Sequence, residues 1–158
     1  MRYFCIIFLV GCFAFACVKS KSKDPIPTLE FKEFQNMQKL PGGSLGARDT
    51  GALVVSYTDG DGDLFVNTST DASNLVIKYF NFITDSNKFV QVSVEAKQIK
   101  QPDNGYYKGK SIKGDIYIPI REYRKSDAIK LIKVEVFMVD MKSHQTNIVT
   151  SPTYTINY

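Results

Sequence analysis

Short runs of alternating apolar and polar residues follow one another along the chain from about residue 28 to its end. Each run would place its apolar residues on one face of an extended strand, because side chains in a strand alternate between faces with a period of two. No long segment has the 3.6-residue period of an amphipathic helix. There are seven runs, marked by Leu29 and Phe31; Leu53, Val55 and Tyr57; Leu75, Ile77 and Tyr79; Val90, Val92 and Val94; Ile116, Ile118 and Ile120; Ile132, Val134 and Val136; and Tyr154, Ile156 and Tyr158.

Turn-forming residues separate these runs. Residues 41–43 read Pro-Gly-Gly and residues 102–105 read Pro-Asp-Asn-Gly, both typical of turns. Pro119 has no amide hydrogen to donate to a neighbouring strand, so it predicts that its strand lies at a sheet edge. Short strands separated by turns predict an all-β fold. We expect residues 28–158 to form an immunoglobulin-like antiparallel β-sandwich of about seven strands.

The first residues have a different pattern, which indicates export. Arg2 gives a short positive start, and Tyr3 to Ala16 form an apolar stretch of the length found in signal peptides. This stretch is shorter than the roughly 20 apolar residues that cross a bilayer. A polar segment with Lys19, Lys21 and Lys23 follows it. We therefore expect residues 1–16 to be a signal peptide and residues 17–27 to be a flexible polar tether.

All three cysteines, Cys5, Cys12 and Cys17, fall in or beside the apolar stretch. An apolar run that ends at a cysteine before a charged linker resembles the lipobox of bacterial lipoproteins, in which that cysteine receives the lipid. We favour Cys17, which gives a leader of normal length and places the tether directly after the lipid. Cys12 is the alternative, because residues 9–12, Leu-Val-Gly-Cys, match the usual lipobox pattern better. An uncleaved signal anchor or an ordinary secretory peptide is the other interpretation.

Composition excludes several classes of site. No cysteine follows Cys17, so the folded part has no disulfide, no thiolate nucleophile and no cysteine-based zinc site. The formal net charge is +4, but the basic residues are scattered and form no stripe interleaved with aromatic residues. Nucleic acid is therefore not an expected partner.

Residues 59–63 read Asp-Gly-Asp-Gly-Asp, the one pattern in the chain that suggests metal chemistry. Glycines between the acidic residues allow Asp59, Asp61 and Asp63 to converge on one point, and Ca²⁺ takes six to eight oxygen ligands. The pattern is not an EF-hand, since Leu64 stands where that loop needs glycine and Thr70 where it needs glutamate. A different calcium loop and a plain strand-to-strand turn both remain open.

The same segment carries a family resemblance. A strand that ends at Asp59 and continues as Gly-Asp-Gly-Asp-Leu resembles the Asp-Gly-Asp-Leu signature of small Bacteroidetes-type lipoproteins of unknown function. Those proteins also have a lipobox, a short Pro-rich tether, and a penultimate strand that ends in aspartate, which here is Asp140. Phe65 and residues 141–144 stand where the family usually has glycine. The resemblance implies a sandwich and an envelope location but no activity. If the two acidic loops meet, Asp140 would join the metal ligands.

Other candidate site residues have weaker support. His144 is the only histidine and is expected to be a solvated loop side chain, with no nucleophile motif from which to build a Ser-His-Asp triad. Glu95 and Asp115 would suit a glycosidase-like carboxylate pair, but nothing in the sequence brings them together. Aromatic side chains for stacking on a sugar are Tyr106 and Tyr107, with Tyr123 as a further candidate.

These observations lead to one expectation and one rival. We expect a non-enzymatic protein, exported and lipid-anchored at the cell envelope, in the outer membrane with its periplasmic or surface face left open, that acts as a binding or structural module. Its partners would be the membrane, through the lipid, and an envelope protein or glycan. The rival is an accessory glycan-binding lipoprotein of a nutrient-uptake system. Ca²⁺ is the only cofactor that the sequence suggests.

Overall fold

The structure of the chain, a computed structural model, describes residues 24–40, 48–67, 71–101, 107, 109–121 and 130–157. These residues contain no α-helix, and therefore no helix that is long and apolar enough to span a membrane. A short 3-10 turn, Thr84–Ser86, connects the third strand to the fourth. The strands in chain order are β1 Thr28–Leu40, β2 Arg48–Asp59, β3 Leu75–Ile83, β4 Lys88–Lys97, β5 Ile112–Pro119, β6 Leu131–Met138, β7 Val149–Thr150 and β8 Tyr154–Thr155.

The strands form two antiparallel sheets that pack face to face. One sheet has the order β1-β2-β5, and the other has the order β4-β3-β6-β7, with β8 also paired to β6. The predicted all-β class and antiparallel sandwich are thus confirmed. In a constant-type immunoglobulin domain the fourth strand joins the sheet of the first two. Here β4 pairs with β3 in the opposite sheet.

Alternating apolar residues from both sheets form the core. Along β3 and β6 every second side chain is buried, as predicted, because one face of each strand lies against the opposite sheet. β5 pairs only with β2 among the described strands, so Pro119 does lie on an edge strand. The central side chains of the core are Leu53, Val55, Ile77, Tyr79, Ile116, Ile118, Val134 and Val136.

β4 departs from its simple alternating pattern. Its pairing with β3 shifts register between Tyr79 and Phe80, which leaves an extra residue in β4. Such a bulge changes the face on which the following side chains lie. As a result Val90, Val92 and Val94 do not form one core-facing row. They are 39%, 42% and 52% exposed on a strand that, among the described strands, pairs only with β3.

The end of the chain is also less regular than the predicted single last strand. Of the predicted run only β8 forms a strand, a further short strand, β7, precedes it, and residues 151–153 between the two form no strand. Buried Ser151 holds this break against β6, because its Oγ accepts a hydrogen bond from the amide of Val134 at 3.0 Å. Pro152 follows it and cannot donate to a strand.

Several chain segments meet at one end of the sandwich. β1 is antiparallel to β2, so its first residue, Thr28, lies opposite Thr58 near the end of β2. The side-chain amide of Asn147, in the loop after β6, bonds both the amide and the carbonyl of Leu29 at 2.8 Å. We call this the acidic end, and it comprises the described residues among 24–28, 59–67, 97–111 and 139–148.

Candidate functional site at the acidic end

The acidic loop begins at Asp59, whose carboxylate folds the chain back on itself. Asp59 is buried and its two oxygens accept hydrogen bonds from the amides of Asp61 and Leu64, at 3.2 and 2.9 Å. Burial raises the pKa of this carboxyl group, and the bonds from the amides oppose that effect. Asp59 therefore organises the loop in addition to contributing charge.

Gly62 allows the loop to pack tightly on the chain segment before β5. Its φ is +74°, a conformation that L side chains rarely adopt, and a Cβ at this position would overlap the carbonyl oxygens of Tyr107 and Lys110. Beside it the amide of Gly109 donates a hydrogen bond to the carbonyl of Asp61 at 2.5 Å. This contact holds Asp61 and Asp63 on either side of a sharp bend.

Three carboxylates converge at this bend. Asp59, Asp61 and Asp63 each offer one oxygen, and these oxygens lie within 4.8 Å of one another. Lys142, from the loop after β6, places its ammonium between Asp61 and Asp63: Nζ contacts Asp61 Oδ2 directly and lies 2.9 Å from Asp63 Oδ2. The arrangement brings together the three aspartates predicted from their spacing, with an ammonium as their counter-ion.

The two flanking carboxylates differ in environment. The hydrogen bond from Lys142 lowers the pKa of Asp61, whereas burial raises the pKa of Asp63. Asp63 is only 9% exposed; its Oδ2 has the ammonium of Lys142 beside it, but its Oδ1 has no hydrogen-bond partner among the described residues. The Asp61 carboxylate is more exposed, and its Oδ1 also has no such partner. The bonds that Asp61 makes raise the pKa of the Lys142 ammonium.

The acidic loop and the loop after β6 do meet, since the amide of Met141 donates to the carbonyl of Asp63 at 3.0 Å. The carboxylate of Asp140, however, is engaged in its own turn. Its Oδ1 accepts hydrogen bonds from the amides of Lys142 and His144, both at 2.8 Å. Asp140 thus borders the three-carboxylate cluster and shapes the turn from which Lys142 projects.

His144 has a partner that the sequence analysis did not anticipate. It lies in a loop, with 40% of its side chain exposed, but its Nδ1 is 2.9 Å from Oδ2 of Asp140, whose side chain is fully buried. No serine or threonine hydroxyl contacts the ring in the part of the chain that the structure describes. The His-Asp pair therefore closes the turn after β6.

A cleft of about 450 Å³ opens beside the acidic loop. Tyr57 and Phe65 form one wall, with ring centroids 5.1 Å apart in an edge-to-face contact. Burial raises the pKa of Tyr57, as expected where its hydroxyl is partly removed from water. The other lining residues are Tyr107, Lys110, Ser111, Ile112 and Lys113.

Tyr107, one of the two favoured aromatic candidates, thus faces a cleft. Tyr106 and Tyr123 lie outside the described residues, as do Cys12, Cys17 and the whole predicted signal peptide. The suggested carboxylate pair is not assembled, because Glu95 is on β4 and Asp115 is on β5 in the other sheet. Glu95 accepts a hydrogen bond from Tyr79 at 3.4 Å, and Asp115 pairs with Lys32 at 2.6 Å.

Two residues important at this end carried no sequence signal. Lys142 reaches the carboxylates from a loop about 80 positions later in the chain. The only indication from sequence was the family resemblance, which raised the case in which the acidic loop and the loop after β6 meet. Asn74, just before β3, is buried and its side chain joins two other segments: Nδ2 donates to the carbonyls of Leu64 and Ile99, and Oδ1 accepts from the amide of Ile99.

Comparison of the chain with protein-family models, curated proteins and solved structures gives no significant match.

Proposed function

We propose that this chain is a non-enzymatic lipoprotein of the cell envelope, of the small Bacteroidetes type that its sequence resembles, and that its sandwich acts as a binding module. The observation that carries the proposal is the cleft at the acidic end, because largely apolar clefts with a few polar groups are the usual form of ligand sites. Tyr57, Phe65 and Tyr107 supply its aromatic surface, and Lys110 and Lys113 supply charge.

The position of β1 determines how far the cleft would lie from the proposed lipid anchor. A lipid on Cys17 would be joined to β1 by residues 17–27, which reach at most roughly 40 Å when fully extended. β1 begins at the acidic end, where Thr28 lies opposite Thr58. The lipid would therefore hold the cleft close to the membrane, where the outer-membrane surface, its glycans and neighbouring envelope proteins are within reach.

The anchor is tested by metabolic labelling with a fatty acid and by cell fractionation. We expect the wild-type chain to incorporate label and to sediment with membranes. Cys17→Ser should abolish labelling, whereas Cys12→Ser, the matched control in the same apolar stretch, should leave it unchanged. The opposite result would assign the lipid to Cys12, and a wild-type chain without label would contradict the proposal.

A second candidate function, accessory glycan binding for a nutrient-uptake system, is favoured by Tyr107 in the cleft. Aromatic rings provide flat apolar surface together with a polar edge, which suits the faces and hydroxyls of sugars. The two lysines would favour glycans that carry acidic groups, since opposite charges attract across the cleft.

This candidate is tested on a glycan array with the full-length chain in detergent. Tyr107→Ala should weaken binding of any captured glycan at least about tenfold, because truncating an aromatic anchor often costs about 2 kcal/mol or more. Tyr117→Ala is the control: Tyr117 lies on β5, is 56% exposed and does not line the cleft. Equal loss in the two variants, or no glycan captured by the wild type, would reject glycan binding in the cleft.

A further inference from the structure

The unusual feature of the acidic loop is a buried carboxylate that accepts no hydrogen bond from a backbone amide or a hydroxyl among the described residues. Asp63 is 9% exposed; its Oδ1 has no partner in this part of the chain, and its Oδ2 has only the ammonium of Lys142, 2.9 Å away. A buried carboxylate in that state is unfavourable, and proteins normally pair such a charge or use it to coordinate a metal ion. Asp63 forms the three-carboxylate cluster together with Asp59 and Asp61.

The ammonium of Lys142 compensates this charge only in part. It brings one positive charge to a cluster of three carboxyl groups, and 57% of its side chain is exposed to solvent. It comes from the loop after β6, at the end of a long and flexible stem. Such an ammonium can leave the cluster without disturbing the backbone of the acidic loop, whose fold depends on the bonds of Asp59.

We infer that the three carboxylates are a binding site for a hard divalent cation, Ca²⁺, and that Lys142 occupies the cation position until the ion displaces it. Once Lys142 is displaced, Asp63 offers both of its oxygens, and Asp61 offers Oδ1, which has no hydrogen-bond partner among the described residues. Asp59 retains unused lone pairs on oxygens that already accept amide hydrogen bonds. Water would complete the coordination.

The spacing and the ligand type agree with calcium. Two oxygens on opposite sides of a Ca²⁺ ion are about 4.6–5.2 Å apart, and the three carboxylate oxygens lie within 4.8 Å of one another. Asp63 can bind in the bidentate manner that Ca²⁺ accepts. Mg²⁺ requires near-ideal octahedral geometry and gives up water reluctantly. Few protein ligands and a competing ammonium predict a dissociation constant of roughly 10⁻⁴–10⁻³ M, as in extracellular calcium modules.

This inference does not rest on the proposed function. Ca²⁺ can bind whether or not Cys17 is acylated and whether or not the cleft holds a glycan. A chain without lipid that still binds Ca²⁺, or a lipoprotein that does not, would therefore separate the two proposals.

The test uses the full-length chain in detergent, freed of metal with EGTA, and follows thermal unfolding during titration with CaCl₂. Ca²⁺ at ten times its dissociation constant makes the folded state about 11-fold more favourable, a rise in Tm of roughly 3–8 °C. Terbium luminescence gives a second readout that does not depend on stability, because Tb³⁺ is excited through nearby tyrosines and Tyr57 and Tyr107 adjoin the loop. Added Ca²⁺ should quench it by competition.

Two variants and one control locate the ion. Asp63→Asn should abolish both the rise in Tm and the terbium signal, and Asp61→Asn should do so if Asp63→Asn does not fold. Asp115→Asn is the control. Asp115, on β5, also pairs with a lysine, since its carboxylate lies 2.6 Å from the ammonium of Lys32, but it is not part of the cluster. This variant should respond to Ca²⁺ as the wild type does. Lys142→Met removes the competing ammonium, so Ca²⁺ should bind several-fold more tightly than in the wild type.

Three results would overturn the inference. If neither the wild type nor Lys142→Met responds to Ca²⁺, Lys142 is the permanent counter-ion of the cluster. A response retained in both Asp63→Asn and Asp61→Asn would place the ion elsewhere. An equal response to Mg²⁺ at the same concentration would reject calcium as the cation for which this site is built.

Discussion

Asn74→Ala is expected to lower the free energy of unfolding by about 3 kcal/mol, one of the two largest effects that we predict for a single substitution. The side-chain amide of Asn74 makes three hydrogen bonds of 2.7–3.1 Å to the backbone of Leu64 and Ile99. Asn74 itself is 3% exposed. Alanine would leave the carbonyl of Leu64 and the amide of Ile99 without this partner, whereas the carbonyl of Ile99 would keep its bond from the amide of Val66. Each group left unpaired costs about 1–3 kcal/mol when it is buried.

The comparison that isolates this effect is Asn67→Ala, measured by urea denaturation followed by far-UV circular dichroism. Asn67 lies in the same loop but is exposed, and the one partner of its side-chain amide among the described residues is Met141 Sδ, at 3.2 Å. Its loss should change the free energy of unfolding by less than about 0.5 kcal/mol. A decrease below about 1 kcal/mol for Asn74→Ala would show that water replaces the amide and that Asn74 does not hold the loop.

The sequence predicted best the strands in which one face is covered by the opposite sheet along its whole length. β3 and β6 lie in the middle of the large sheet, so each alternating apolar residue has the opposite sheet above it. Pro119 predicted an edge strand for a purely local reason, the missing amide hydrogen. In such cases the pattern along the chain and the packing in space carry the same information.

β4 shows where this reasoning stops. Its valines alternate as regularly as the isoleucines of β5, yet they are exposed. The register shift puts Val90 and Val94 on different faces, and β4 lies at the edge of the large sheet; both features depend on how the strands pair. The break at Ser151 is similar, since it is held by a bond to Val134 on another strand. Neither the register shift in β4 nor the break at Ser151 can be predicted from the residues of its own segment.

The candidate site divides in the same way. The spacing of Asp59, Asp61 and Asp63 predicted their convergence, because glycines between aspartates permit a tight local bend. Lys142 and Asn74 act on residues from distant parts of the chain, and their roles follow from the fold. Asp140 was expected near the cluster and lies in the adjoining turn, where local amide hydrogen bonds take up its oxygens. Local geometry was therefore predictable, but the partners of each charge were not.

Gly62→Ala is expected to destabilise the protein by about 3 kcal/mol for two separable reasons. An alanine with φ near +74° is strained by about 1 kcal/mol. In addition its Cβ would overlap the carbonyl oxygens of Tyr107 and Lys110, and these are backbone atoms that cannot move away as the end of a side chain can. Forcing extra volume into a packed site typically costs a further 1–3 kcal/mol or so.

Gly109→Ala separates the two contributions. Its φ is +76°, almost the same as that of Gly62, but a Cβ there would meet no atom of the described residues within 4 Å. It should lose only the roughly 1 kcal/mol of backbone strain, so the difference between the two variants in urea denaturation measures the overlap at Gly62. The overlap would also push Tyr107 and Lys110 away from the acidic loop, and Tyr107 lines the cleft. Equal destabilisation by the two substitutions would mean that this segment does not rest on Gly62, and that the cleft and the carboxylates are not held together by this contact.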